Sequence, residues 1–145
     1  MRRIHTSTMI IIVLLALVLT FGLCSCKSMA MNEYYANRDN YVSASGTVDF
    51  LNYNEDSTTL YIGFSEVSPV FADTCFKITG DNLKIARKNG IDEKLTTGTS
   101  VTFVSAPKYY GDGYVFPMIA ISIRNDCVLD ADVGFNNYIS ELNCQ

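Results

Sequence analysis

The chain changes period at Tyr41. Beyond it, Val48 and Phe50 alternate with Thr47 and Asp49, and Leu60, Ile62 and Phe64 alternate with Thr59, Tyr61 and Gly63. A two-residue period belongs to a strand with one face against a core. The turn-forming cluster Asn52 to Ser57 separates the two runs, so they are predicted to form a β-hairpin with Val48 and Phe50 on one face. Ser65 to Thr74, which contains Pro69, reads as a longer connection, and Cys75 to Thr79 as a third strand. Gly80-Asp81-Asn82 is a helix start, with an Asp or Asn side chain accepting from the first free N–H groups. Leu83, Ile85 and Ala86 supply the apolar face, and Asn89-Gly90 stops the helix after about two turns. Ile91 and Leu95 lead through Thr96-Thr97-Gly98 to a fourth strand at Val101 and Phe103.

After the tight turn Gly111-Asp112-Gly113, Tyr114 to Ile123 form the fifth strand. Val115, Ile119, Ile121 and Ile123 fall on one face, with Tyr114, Phe116, Met118 and Ala120 on the other. Both faces are apolar, which predicts a central or enclosed strand. Pro117 cannot donate to a ladder and predicts a bulge or an edge there. Phe135, Tyr138, Ile139 and Leu142 have the spacing of one helical face, with Asp132 as its cap.

The N-terminus has a different pattern. Met1 to His5 is short and basic, and Met9 to Leu23 is apolar and uncharged, the layout of an export signal. The run is short for a transmembrane helix, which needs about 20 apolar residues. Leu23-Cys24-Ser25-Cys26 resembles the lipobox of bacterial lipoprotein precursors. That resemblance implies cleavage between Ser25 and Cys26, a diacylglycerol thioether on Cys26, and attachment to the cell envelope outside the cytoplasm. Two acyl chains hold a protein stably where one is marginal. Two other readings stay open: an ordinary cleavage site at Ser28-Met29-Ala30, giving a secreted protein, and an uncleaved anchor. The expected organisation is a signal peptide over 1–25, a tether over 26–40, a β-domain over 41–123 and a tail over 124–145 that packs on the domain.

The chain has 145 residues, with 11 basic and 15 acidic. Loss of Arg2 and Arg3 with the signal leaves 9 against 15, a net charge of −6. That balance opposes nucleic-acid binding, which needs a basic groove. Lys84, Arg87 and Lys88 read as the solvated face of the short helix. There is no Trp, and the single His is His5. The processed chain therefore has no catalytic triad, no Cys-His pair and no His-ligated metal. No catalytic residue and no cofactor is assigned.

Strand, strand, strand, short helix, strand, strand is an order that resembles the OB-fold. Gly46-Thr47-Val48 and Gly98-Thr99-Ser100-Val101 look like the Gly-x-Val starts of its first and fourth strands. The expected class is all-β: a five-stranded OB-like Greek-key barrel, one short helix between strands three and four, and a C-terminal helical tail. The pattern is similar to OB-fold domains of small bacterial lipoproteins, some grouped with the anticodon-binding type.

OB-folds bind on the face of strands two and three, between the loops joining strands one–two and four–five. By that resemblance the loops are Asn52 to Ser57 and Lys108 to Tyr114. Lys108, Tyr109, Tyr110 and Tyr114 cluster at one hairpin tip, with Tyr53 and Tyr61 as an extension. Tyr combines rigid apolar area with a polar end, suited to a sugar or a partner protein. The competing reading packs these rings on the barrel flanks. Asp126, Asp130 and Asp132 read as solvated charges; their spacing is not that of an EF-hand. A Cys127–Cys144 disulfide would staple the tail and contribute roughly 3 kcal/mol; Cys75 with either, or free thiols throughout, are the alternatives. The function expected is a non-catalytic binding module for an envelope protein or glycan, or a tethered assembly accessory.

Overall fold

A computed structural model describes residues 30–144 apart from 108 and 110–114. The chain divides into two compact units, residues 1–34 and 35–145. A helical stretch, α1, covers residues 30–36. The second unit contains all the strands among the described residues.

Five strands close on themselves. β1 (Val42–Tyr53) pairs antiparallel with β2 (Thr59–Ser65) on one side and β4 (Ser100–Ser105) on the other. β2 continues to β3 (Cys75–Thr79), and β4 to β5 (Val115–Ile123), both antiparallel. The parallel pair β3–β5, through Cys75↔Val115, Phe76↔Phe116 and Lys77↔Pro117, shuts the barrel. Closure leaves these five strands no free edge. The strand order is that expected of an OB-like barrel. Helix α2 (Gly80–Lys88) and the one-turn α3 (Ile91–Lys94) sit between β3 and β4.

The interior is filled from alternate positions. Val48, Leu60, Ile62, Phe76, Ile78, Phe103, Phe116, Met118 and Ile121 are buried together. Phe103 lies at its centre, stacked on Phe64 at 4.7 Å between ring centroids and edge-on to Phe76 at 4.8 Å. Phe71 is also buried and meets both Phe76 and Phe103. Leu83, Ala86, Ile91 and Leu95 from α2, α3 and the turn beyond join the same core.

Bulges in β1 and β5 break the two-residue period. In β1, Val48 pairs with Phe64 but Phe50 with Gly63, so Asp49 is the extra residue. A one-residue shift moves every later side chain to the opposite face. Phe50 is therefore outside, and Leu51 and Tyr53 turn toward the core, which corrects the expectation that Phe50 shares a face with Val48. In β5, Val104 pairs with Ala120 but Ser105 with Met118, so Ile119 is extra. Pro117 predicted an irregularity, and it lies two residues further on. The two expected faces of β5 are consequently mixed: Phe116 and Met118 point inward before the bulge, Ile121 and Ile123 after it. The strand is enclosed, as its apolar run implied, between β3, β4 and a further strand.

That strand, β6 (Asp126–Leu129), was not expected. Arg124 and Asn125 both take positive φ, as a two-residue type I′ hairpin requires, and return the chain along β5. Helix α4 (Ala131–Asn143) follows, capped by Asp130 rather than Asp132: the Asp130 carboxylate accepts from the N–H groups of Asp132 and Val133 at 3.0 and 3.1 Å. On the predicted face Phe135 is buried and Tyr138, Ile139 and Leu142 are half-buried. Gly134 lets the helix touch β5, because a Cβ there would lie 1.8 Å from the Ile119 carbonyl oxygen. Buried Asn82 of α2 donates to the Gly134 carbonyl at 2.8 Å and accepts from Asn137 at 3.0 Å. Neither Asp81 nor Asn82 caps α2; Thr79 precedes it, and its hydroxyl donates to Glu141 of α4. Within the stretch read as a tether, Tyr35 is 1% exposed and meets Tyr138 edge-on at 5.9 Å. Arg38 lies over the Phe135 ring and pairs with Asp132.

Candidate functional site

The outer surface of β1, β2 and β3 carries two cross-strand rows. The first is Phe50–Gly63–Cys75, reaching Val115 of β5; the second is Asn52–Tyr61–Lys77. Phe50 is 44% exposed, a large value for an aromatic in the middle of a strand. Its ring lies across β2 where Gly63 has no side chain: a Cβ there would lie 2.0 Å from Phe50 Cε1. The bulge at Asp49 puts the ring outside, and Gly63 gives it a bed. Tyr61 and Lys77 are half-buried beside it, while Asn52 and Asp49 are exposed. Directly opposed residues lie about 4.5–5.5 Å apart and diagonal ones about 7–8 Å, so these groups fall within one small patch.

The β1–β2 loop at the end of this face is tied by its own hydrogen bonds. The Thr59 N–H donates to Asn54 Oδ1 at 2.8 Å. The hydroxyl and N–H of Thr58 donate to Asp56 at 2.6 and 3.2 Å, which holds the Asp56 carboxyl below its ordinary range. Ser57 takes positive φ at the tip.

Of the residues expected at the site, Tyr61 is on this face and Tyr53 is not. Past the bulge, Tyr53 pairs with Leu60, an inward position. Its hydroxyl donates to Asp92 of α3, and the Arg87 guanidinium of α2 lies 4.7 Å from its ring centroid. Arg87 also pairs with Asp92 at 3.3 Å and donates to the Ser57 carbonyl at 2.9 Å. Burial, and then the Asp92 carboxylate, push the Tyr53 phenol above its ordinary value. Tyr53 thus belongs to the packing of one barrel end, where Leu51, Leu60, Ile91 and Leu95 line a cleft of about 240 Å³ with it. Tyr109 is half-buried. Lys108, Tyr110, Tyr114, Ser25 and Cys26 lie outside the described residues.

The three tail carboxylates have separate tasks. Asp130 caps α4, Asp132 meets Arg38, and Asp126 meets Lys94 at 3.6 Å. No cluster of three metal-ligating side chains occurs among the described residues. Cys75, Cys127 and Cys144 are free thiols, Cys75 half-buried and the other two exposed, so the expected Cys127–Cys144 bond is not present in the structure. Burial raises the Cys75 thiol, which makes it a poorer nucleophile at neutral pH.

Sequence reasoning missed Phe50 and Lys77. The signal for Phe50 was the run Val48-Asp49-Phe50-Leu51, where Phe and Leu adjoin and cannot both face inward. Its counterpart is Gly63, a strand glycine, which marks a bulge or a close approach.

No family model, no curated protein and no solved structure matches the chain.

Proposed function

We propose that the chain is a lipid-anchored bacterial protein of the cell envelope, outside the cytoplasm, whose OB-like barrel is a non-catalytic binding module for an envelope protein or glycan. The finer kinship proposed is with small bacterial lipoproteins that carry an OB-fold of the anticodon-binding type. The lipobox-like Leu23-Cys24-Ser25-Cys26 supports the anchor and its site on Cys26. The observation that carries the binding reading is Phe50, an exposed ring set on the outer sheet beside Tyr61 and Lys77. Surface aromatics with neighbouring polar groups are how compact sites hold a partner. The charge of −6 for the processed chain weighs against a polyphosphate ligand.

The test uses the full chain expressed in a bacterium with a clickable fatty-acid label. The expected result is a labelled, membrane-bound protein, with both properties lost in Cys26→Ser. An unlabelled wild-type protein in the medium would favour cleavage at Ser28-Met29-Ala30, and one in the cytosol would refute the envelope reading outright. In the same cells, a photo-crosslinking amino acid at position 61 is expected to capture envelope material, and its failure would count against the module.

A further inference from the structure

Resting on the binding-module reading, we infer that the face built by Phe50, Tyr61, Lys77 and Asn52 takes an uncharged pyranose glycan, with one sugar ring stacked on Phe50. The size and chemistry of the patch carry the choice. A stable protein partner needs about 800 Å² per side around an apolar centre. The exposed large hydrophobics among the described residues are Val42, Phe50, Val70 and Val133, at the start of β1, past its bulge, in a 3-10 turn and on α4. They do not form one cross-strand patch, and Phe50 is the one aromatic among them. One exposed phenyl ring, with the half-buried Tyr61 ring a row away, is small for a protein but matches one face of a pyranose, whose axial C–H groups sit on a π-surface.

The neighbours suit the rest of a sugar. Asn52 offers both a donor and an acceptor, the Tyr61 hydroxyl does the same, and Lys77 offers donors only. They stand in one row directly beside the Phe50 row, so a ring stacked on Phe50 has its hydroxyl edge toward them. Gly63 matters because it keeps the platform flat; any side chain there would lift the phenyl ring off the sheet. Lys77 is the one charged side chain of the four, and the charge of −6 on the processed chain opposes an anionic polymer.

The test takes advantage of a chain without Trp. Full-length Phe50→Trp protein in detergent micelles carries one indole, placed on the platform. It is titrated with chitohexaose, cellohexaose and maltohexaose, and wild type and Phe50→Ala are titrated by calorimetry with the same sugars. The expected result is saturable change in the indole emission with at least one hexaose, bound by wild type and weakened about tenfold or more in Phe50→Ala, which still melts cooperatively. Tyr61→Ala, whose ring lies one row away, is expected to weaken it less. Equal affinity in Phe50→Ala would overturn the inference and leave the module reading standing. No binding of any hexaose, with a photo-crosslinker at position 50 capturing an envelope protein, would also overturn it and leave a protein-binding module. No sugar and no crosslink would remove both readings, as would tight binding of a deoxythymidine dodecamer instead.

Discussion

The barrel has two bulges that do the same thing to the chain and meet different ends. In β5 the extra residue is Ile119, and the surface there is closed by α4, brought to backbone contact through Gly134. In β1 the extra residue is Asp49, which sends Phe50 outward, and among the described residues no helix lies over it: Ile119 is 3% exposed and Phe50 is 44%. The one left bare is a candidate for what the protein touches, because burying a Phe side chain is worth about 1.5–3 kcal/mol and the fold forgoes part of that here.

The largest expected effect lies on the covered side. Gly134→Ala forces α4 away from the Ile119 carbonyl and is expected to lower stability by about 3 kcal/mol, read from urea melts. A loss under about 1 kcal/mol would mean that α4 does not press on the bulge as described.

Asp130→Ala removes the α4 cap and should destabilise by about 1 kcal/mol, whereas Asp132→Ala should cost less, since Asp132 caps nothing. The reverse order would restore the sequence-based assignment of the cap.

Tyr53 and Tyr61, eight positions apart, sharpen the same contrast. Tyr53→Phe loses the bond to Asp92 and should destabilise by about 1 kcal/mol at neutral pH, while Tyr61→Phe should be nearly neutral. Because the folded Tyr53 phenol titrates above its ordinary value, its contribution is complete below the unfolded pKa of about 10 and is lost as pH rises through the higher folded one. The gap between wild type and Tyr53→Phe should therefore narrow in alkaline melts. A gap that widened there would contradict the burial and the Asp92 contact together.

The smallest effect belongs to the bare side. Phe50→Ser should cost no more than about 1 kcal/mol, since the ring is 44% exposed and only its inner side rests on Gly63. A loss of several kcal/mol would place the ring inside the core.

Element order was legible because alternation and turn residues mark it locally. Leu60, Ile62 and Phe64 keep strict period, and Asn89-Gly90 ends α2 where its composition says. Bulges were not, since a bulge is one residue of offset with no composition of its own. Pro117 warned of one, and Asp49 gave only the adjacent Phe50 and Leu51. β6 escaped because it has four residues and its turn, Arg124-Asn125, lacks the Gly that usually marks a type I′ hairpin. For the site, Tyr61 was legible as an outward strand residue. The role of Tyr53 was not, because it depends on the bulge and on Asp92, 39 residues further along the chain.

The binding face depends on Phe50 standing uncovered on a folded sheet. The direct measurement is acrylamide quenching of the single indole in full-length Phe50→Trp, before and after unfolding in urea. The prediction is solvent-like emission that is already strongly quenched in the folded protein and changes little on unfolding. Emission shifted to the blue and quenched only after unfolding would mean that the side chain is buried, and that β1 does not carry the bulge on which the site depends.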